Sequence, residues 1–477
     1  MNKLAMGRDF DIGALHFASV TDASRLIQTG ALSPIELVET FLARIDAVDG
    51  ELHSYITVLA ERARAAAKLA DAEIKAGRWK GPLHGIPFAV KDNYHVTGVP
   101  TTGGSRLMAD YVADDTSTIV GRLAQAGAIL LGKLNTWEYG TGNGHVYHDL
   151  PYEVARNPWD LRRFTGGSST GAGASVAAGT AMFALGSDTG GSIRLPAAAC
   201  GLQGFKATFG RVSRAGCIPN CWSLDHTGAL CWTVEDSAIV LQTIAGYDSR
   251  DPSSARTEVP DYRQSLHQGV RGLVIGVVSD FGPEGSALDA ANAVAIERAA
   301  KVLEGRGAII RDVTLPAPLT QYRDAARIIN WAESFSIHEQ DFLARNHLMG
   351  QALREKMMSG FMVRAVDYIA ALRLRKALAK ATDALVRSCD ALLLANAFHV
   401  APRFDEPDSV PLFTSETASS VFNITGHPAL SICTGFDGGG LPLNAQIVGR
   451  YFDEATVLKV AQAFESATPW RDRRPDL

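Results

Sequence analysis

Cysteine is scarce in this sequence. The 477 residues include six cysteines, at positions 200, 217, 221, 231, 389 and 433. That number is too small to crosslink a chain of this length, and we therefore predict a reduced, cytoplasmic protein. Cys217 and Cys221 lie four residues apart, but no second pair of Cys or His follows at zinc-ligand spacing. We accordingly predict no metal.

The chain also has no excess of positive charge and no long apolar run. Its net charge is −5 and its pI is near 6.2, which predicts neither a nucleic-acid nor a membrane partner. The longest apolar-looking run, 173–186, is shorter than a bilayer span and contains Ser175 and Thr180. The first residues, MNKLAMGRDFDIG, have no uninterrupted apolar region of the kind a signal peptide needs. Neither GxGxxG nor GxxxxGK[ST] occurs, and we predict no cofactor.

Helix and strand signals alternate along the chain. Ser33, Pro34 and Glu36 form a capping box with proline at the first helical position, followed by an amphipathic helix. Short runs that are too apolar to alternate predict strands buried on both faces. They are AILLG (128–132), LVIGVV (273–278), AIIRDV (308–313), ALLLA (391–395) and LSIC (430–433). The pattern favours an α/β protein with a single large domain, 1–477, whose central β-sheet is covered by helices on both faces.

Two glycine-rich stretches suggest chemistry. FTGGSSTGAGASVAAG (164–179) and GSDTGGSIRLPAA (186–198) combine bare backbone with hydroxyl groups. Glycines allow successive backbone N–H groups to point towards one position, as an oxyanion hole requires, and Ser192 can present a nucleophilic hydroxyl there. The same residues also fit a tight glycine turn with a structural serine.

A lysine at the end of an apolar run is the second chemical feature. In GIPFAVKDN (85–93), Lys91 follows the run 86–90. Burial removes water from an ammonium group and lowers its pKa, so a buried Lys91 can serve as a base. The alternative is a lysine at a strand end that extends to solvent.

These stretches resemble the amidase signature family of serine hydrolases. The resemblance includes GGSST (166–170), GSDTGGSIRLPAAACGLQGFK (186–206), GIPFAVKDN, and, near the C-terminus, NITGHPALSI and LPLNAQIVGRYFDEATVL. It extends over nearly the whole chain, and Ser168 and Ser192 are 24 positions apart (192 − 168), as in that family. It implies a mixed central sheet, a helical N-terminal part of about 1–80 and a signature core of about 81–245.

The resemblance also implies a catalytic triad. Ser192 would be the nucleophile, Ser168 the bridging serine after a cis peptide bond at Gly167, and Lys91 the base. Thr189, Gly190, Gly191 and Ser192 would supply oxyanion-hole amides, and Gly167, Ser169 and Asp188 would support the site.

The segment of about 318–375 is the expected variable pocket or lid. Its apolar residues are Trp331, Phe335, Phe342, Met349, Met357, Met358, Phe361 and Met362. With Gly140, Thr141 and Gly142, we expect Trp331 and Phe335 to line a pocket for a hydrophobic or aryl amide, carbamate or ester. The alternative is that these side chains are the buried faces of covering helices.

Three functions fit these residues. The first is an amidase that acts without partner chains, as a monomer or a homodimer, on a small-molecule amide or carbamate. The second is the glutaminase subunit of a tRNA-dependent amidotransferase, although Leu134, Thr136, Trp137 and Tyr139 depart from the GKTNMDEFAMG pattern usual there. The third is a non-catalytic binding module, which the joint presence of Lys91, Ser168 and Ser192 disfavours.

Overall fold

A computed structural model describes residues 12–142 and 145–477 of the chain. Thirteen strands are assigned within them. They are β1 (Tyr55–Val58), β2 (Pro87–Lys91), β3 (Ile129–Leu134), β4 (Arg156–Asn157), β5 (Asp160–Phe164), β6 (Phe183–Asp188), β7 (Gln203–Lys206), β8 (His226–Cys231), β9 (Val274–Val278), β10 (Ile309–Asp312), β11 (Ala391–Leu394), β12 (Ala429–Phe436) and β13 (Pro442–Val448). Eleven of these strands form one sheet, while β4 and β5 pair separately.

The same ranges contain fourteen α-helices. They are α1 (Val20–Gln28), α2 (Pro34–Leu52), α3 (Ala60–Lys75), α4 (Thr118–Gln125), α5 (Thr170–Ala177), α6 (Arg194–Cys200), α7 (Val234–Ile244), α8 (Ala290–Gly305), α9 (Leu319–Arg345), α10 (Gln351–Met362), α11 (Ala365–Arg387), α12 (Ser409–Ser415), α13 (Ser419–Thr425) and α14 (Glu454–Glu465). None of the helices in these described ranges is long and apolar enough to cross a membrane.

The large sheet is mixed. Its strand order is β1-β3-β2-β6-β8-β7-β12-β13-β11-β9-β10. The neighbours β3, β2 and β6 run parallel, as do β11, β9 and β10, and the strands between β6 and β11 pair antiparallel. The α/β class with a mixed central sheet flanked by helices is therefore confirmed, and the predicted strands correspond to β3, β9, β10, β11 and β12.

Local sequence accounts for several of these elements. The Ser33 hydroxyl accepts the N–H of Glu36, and the Glu36 carboxylate accepts the N–H of Ser33, so the predicted capping box is confirmed at the start of α2. All eight residues of α5 are buried, because glycine, alanine, serine and threonine allow neighbouring backbone to approach closely. A Cβ on Gly171 would lie 2.2 Å from the carbonyl oxygen of Ser54.

Two adjacent strands position the site. Val90 of β2 pairs with Leu185 of β6, so these parallel strands end at the same edge of the sheet. Lys91 is the last residue of β2, and the glycine-rich turn 189–192 follows β6. Parallel strands commonly present functional groups at their carboxyl ends.

Candidate active site

Lys91 is fully buried and faces two serine hydroxyls. Its Nζ donates to Ser168 Oγ at 2.7 Å and to Ser187 Oγ at 2.9 Å. Lys91 forms no ion pair with any residue in the described part of the chain. Burial lowers its pKa to about 8, although Cys217, Asp225 and Asp188 act in the opposite direction. A neutral amine is therefore accessible near neutral pH.

The peptide bond between Gly167 and Ser168 is cis, as the resemblance implies. A Cβ on Gly167 would lie 2.2 Å from the Trp137 ring, so glycine is required for this close approach. Ser169 Oγ donates to the Ser187 carbonyl oxygen at 3.3 Å. Ser169 therefore supports the strand that carries Ser187, and does not itself bond to Lys91.

Ser192 lies on the wall of a cavity of about 430 Å³. Gly140, Thr141, Gly142, Gly167, Thr189 and Gly190 line the same cavity. Within residues 12–142 and 145–477, Ser192 Oγ has no hydrogen-bond partner. Its hydroxyl is therefore available to a substrate, and catalytic hydrogen bonds are often incomplete before substrate binds.

Asp188 organises the turn that carries Ser192. Its carboxylate accepts the N–H groups of Gly191 (2.7 Å) and Ile193 (3.1 Å) and pairs with Arg194 at 3.0 Å. Burial alone would raise the pKa of Asp188, but the Arg194 guanidinium holds it well below its usual range. Asn423 adds a further bond at 2.8 Å.

Gly191 departs from the sequence expectation for the oxyanion hole. Its N–H is occupied by Asp188, and Gly191 is absent from the lining of the cavity. Glycine is needed there for another reason: its φ is +136°, and a Cβ would lie 2.4 Å from Ser419 Oγ. The amides of Thr189, Gly190 and Ser192 remain the candidate donors.

The expected aromatic pocket is largely wrong. Trp331 does line the cavity, but Phe335 packs near Phe342 and Phe361, with ring centroids 6.0 and 5.8 Å away. Met349 and Met357 are buried in a small core, and Met358, Phe361 and Met362 are more than half exposed. The faces of α9 and α10 that meet the cavity are polar instead. They contribute Arg323, Arg327, Asn330, Glu355, Lys356 and Ser359.

Lys356 is a candidate functional residue that the sequence interpretation missed. Its Nζ donates to Asn220 Oδ1 at 2.5 Å and to Thr141 Oγ1 at 3.2 Å. It forms no ion pair within the described residues, and burial lowers its pKa to about 8. A signal was present, because Lys356 shares the buried face of α10 with Leu353, Met357 and Gly360 at helical spacing.

Ser187 and Asn220 were also missed. Ser187 follows directly from the strand alternation that puts Asp188 on the opposite face of β6, so its position was open to prediction. Asn220 lies in a segment between β7 and β8 that has no regular secondary structure, and no local pattern marks it.

The cysteines and acidic residues do not suggest a metal centre in the part of the chain described. There, no group of three or more His, Cys, Asp or Glu side chains is arranged to hold a metal ion. Cys221 instead contacts the Glu333 carboxylate at 3.1 Å, and burial raises the pKa of Cys217 to about 12.

Comparisons with known proteins agree with this geometry. The Amidase family matches residues 36–458. A subunit of the glutamyl-tRNA(Gln) amidotransferase of Chloroflexus aggregans is 37% identical over 491 aligned positions, covering 97% of this chain and 99% of the relative. The corresponding protein of Moorella thermoacetica is 38% identical over 487 positions, with the same coverage.

Solved structures are similar over almost the whole chain. A structure described as a vestigial complex that reveals the evolutionary origins of an s-triazine catabolic enzyme has a TM-score of 0.89 at 30% identity, covering 96% of this chain and 100% of the other. A bacterial aryl acylamidase of the amidase signature family has a TM-score of 0.86 at 27% identity, covering 96% and 98%. The chain therefore belongs to the amidase signature family, and it is an enzyme that hydrolyses amide C–N bonds.

Proposed function

We propose that this chain hydrolyses the amide of a small, carboxylate-bearing substrate through a serine acyl-enzyme. Neutral Lys91 takes a proton from Ser168, which takes one from Ser192. The Ser192 oxygen then attacks the amide carbonyl carbon. The hydrogen bond of 2.7 Å from Lys91 Nζ to Ser168 Oγ supports the first of these transfers.

The remaining steps use the same groups. N–H groups of Thr189, Gly190 and Ser192 stabilise the oxyanion, and the relay returns a proton to the leaving nitrogen as the C–N bond breaks. Water then attacks the acyl-enzyme, Lys91 again accepts a proton through Ser168, and the carboxylic acid leaves. Protonation of the leaving nitrogen matters because an amide anion is a poor leaving group.

The observation that carries the substrate class is the buried Lys356 on the cavity wall, which has no carboxylate partner among the described residues. A buried ammonium without a counter-ion is unfavourable, and a substrate carboxylate would supply one. Arg323 and Arg327 add positive charge to the lining, against the single carboxylate of Glu355. This lining favours an anionic group over the bulky aryl group expected from the sequence.

Glutamine is the leading candidate, because the amidotransferase relatives favour the second of the three functions considered. In that function the chain would release ammonia from glutamine and work with partner subunits. The polar cavity agrees with this choice better than with an anilide. A free-standing amidase for a simpler carboxylated amide is the second candidate, and the environment of Lys356 is compatible with both.

The experiment measures ammonia release from three matched amides. Glutamine carries a carboxylate and an ammonium group, glutaramate lacks the ammonium, and pentanamide lacks both. We expect kcat/KM to be about 10- to 100-fold higher for a carboxylated amide than for pentanamide, the effect of one charge-assisted hydrogen bond. 4-Nitroacetanilide serves as the aryl comparison.

Each outcome separates two functions. Preference for glutamine, increased by the other subunits of a tRNA-dependent amidotransferase, supports the glutaminase function, whereas preference for glutaramate supports a free-standing amidase. A best substrate that is the anilide would contradict the proposed substrate class. Absence of turnover on all four amides would contradict the proposal as a whole.

A further inference from the structure

A chain of hydrogen bonds joins Lys356 to the turn that carries Ser192. Lys356 Nζ donates to Asn220 Oδ1 at 2.5 Å, and Asn220 Nδ2 donates to Thr189 Oγ1 at 3.3 Å. Thr189 Oγ1 in turn donates to Asp225 Oδ1 at 2.6 Å. One side chain, Asn220, therefore lies between the proposed carboxylate site and an oxyanion-hole residue.

Asn220 is itself held by several bonds. Its backbone N–H donates to Asp225 Oδ2 at 2.8 Å, and its Nδ2 also donates to the Gly140 carbonyl oxygen at 3.3 Å. An amide side chain has a donor end and an acceptor end, so a cation that fixes Oδ1 also fixes the direction of Nδ2. The charge state of Lys356 thus determines what Thr189 receives.

The stoichiometry of Lys356 leaves room for a substrate. A protonated lysine has three N–H donors, and Asn220 and Thr141 accept two of them. The third can bond to a carboxylate in the cavity. A bound carboxylate also favours the protonated amine, which must then donate to Asn220 Oδ1.

We propose that Asn220 is a positioning residue through which a substrate carboxylate on Lys356 orders Thr189 and the oxyanion hole. This inference rests on the proposed function. Its consequence is that a substrate carboxylate increases kcat as well as lowering KM. An amide without the carboxylate binds next to an Asn220 side chain that can adopt either orientation, and the Thr189 hydroxyl is held less firmly.

The test compares kcat for glutaramate and pentanamide, which differ only in the carboxylate. We expect the wild-type chain to have a kcat about tenfold higher on glutaramate, since one ordered hydrogen bond supplies an effect of that size. Asn220→Leu, which keeps a similar volume, should abolish this ratio while changing kcat on pentanamide less than about threefold.

Matched variants complete the design. Lys356→Met should abolish the ratio and also raise KM for glutaramate, whereas Thr189→Ser, which keeps the hydroxyl, should retain it. Lys376→Met makes the same chemical change on an exposed lysine of α11 and should leave both substrates unaffected.

The outcomes are decisive. Equal losses of kcat on both substrates in Asn220→Leu would overturn the inference, because a purely structural residue affects them alike. A change confined to KM, or a wild-type ratio near one, would also overturn it. Ser192→Ala distinguishes the two proposals: residual pentanamide turnover in that variant would contradict the serine mechanism, whereas its loss together with an altered ratio in Asn220→Leu supports both.

Discussion

Lys91 and Lys133 lie on neighbouring parallel strands, and both are fully buried, yet their surroundings differ. Lys133 Nζ pairs with Asp92 Oδ1 at 2.7 Å and donates to Thr101 Oγ1 at 2.9 Å. Lys91 is one residue before Asp92 in sequence, but it bonds only to the hydroxyls of Ser168 and Ser187 among the residues described.

This difference separates stability from reactivity. A buried lysine that is paired with a carboxylate keeps its proton and contributes to a fixed structure, and removal of either partner leaves an uncompensated charge. A buried lysine among hydroxyls loses its proton more readily and can accept one from a serine. The same residue type therefore serves two purposes on adjacent strands because of one carboxylate.

The largest expected effect comes from removing the nucleophile that Lys91 activates. Ser192→Ala should lower kcat/KM by about 10⁴-fold or more on every amide, because no other hydroxyl in the described chain shares the candidate oxyanion donors. Thermal unfolding should change little. Ser388→Ala, at the end of α11 on the surface, is the control and should keep full activity. Substantial turnover by Ser192→Ala would contradict the assignment.

The second prediction tests the two lysines directly. Lys91→Met should lower kcat/KM for pentanamide by about 10²- to 10⁴-fold, the usual contribution of a general base, and change the free energy of unfolding by less than about 1 kcal/mol. Lys133→Met should lower the free energy of unfolding by about 3–5 kcal/mol, because Asp92 is then buried without a partner. Chemical denaturation measures both effects. If Lys91→Met were the more destabilising variant, the comparison would fail.

The third prediction is a pH profile. Lys91 is active as a base only when neutral, and its pKa is lowered to about 8. The kcat/KM for pentanamide should therefore rise about tenfold per pH unit below pH 8 and level off above it. A neutral substrate is used because Lys356 titrates in the same range and affects carboxylated amides. A profile that falls on the alkaline side, or is flat from about pH 6 to 9, would be inconsistent with a neutral lysine base.

The smallest expected effect concerns Ser187. Its hydroxyl oxygen accepts a hydrogen bond from Lys91, which favours the protonated amine, so Ser187→Ala should move the apparent pKa downward by less than one unit. The kcat/KM should fall less than about tenfold. Thr101→Val is the matched control beside Lys133: it should lower the free energy of unfolding by about 1 kcal/mol and leave the pH profile unchanged. An upward shift in Ser187→Ala would show that the hydroxyl favours the neutral amine.

Much of the fold was predictable from the sequence because its signals are local. The capping box at Ser33 and Glu36 needs only residues three apart, and the buried strands needed only short apolar runs. The residues of the proposed triad were recognisable because glycine and serine occur in an unusual order around Ser168 and Ser192. Position 91 followed from an apolar run that ends in lysine.

What only the tertiary structure decided is which groups meet. Strand register gives Asp92 to Lys133 and leaves Lys91 to Ser168 and Ser187, although all of these residues are recognisable as polar groups in buried segments. Helix rotation directs Lys356 into the cavity and Phe335 away from it, and a periodic pattern does not indicate which face meets the active site. A carboxylate claimed the N–H of Gly191. Pairings between distant residues depend on packing of the whole sheet, and the sequence near each residue contains no record of them.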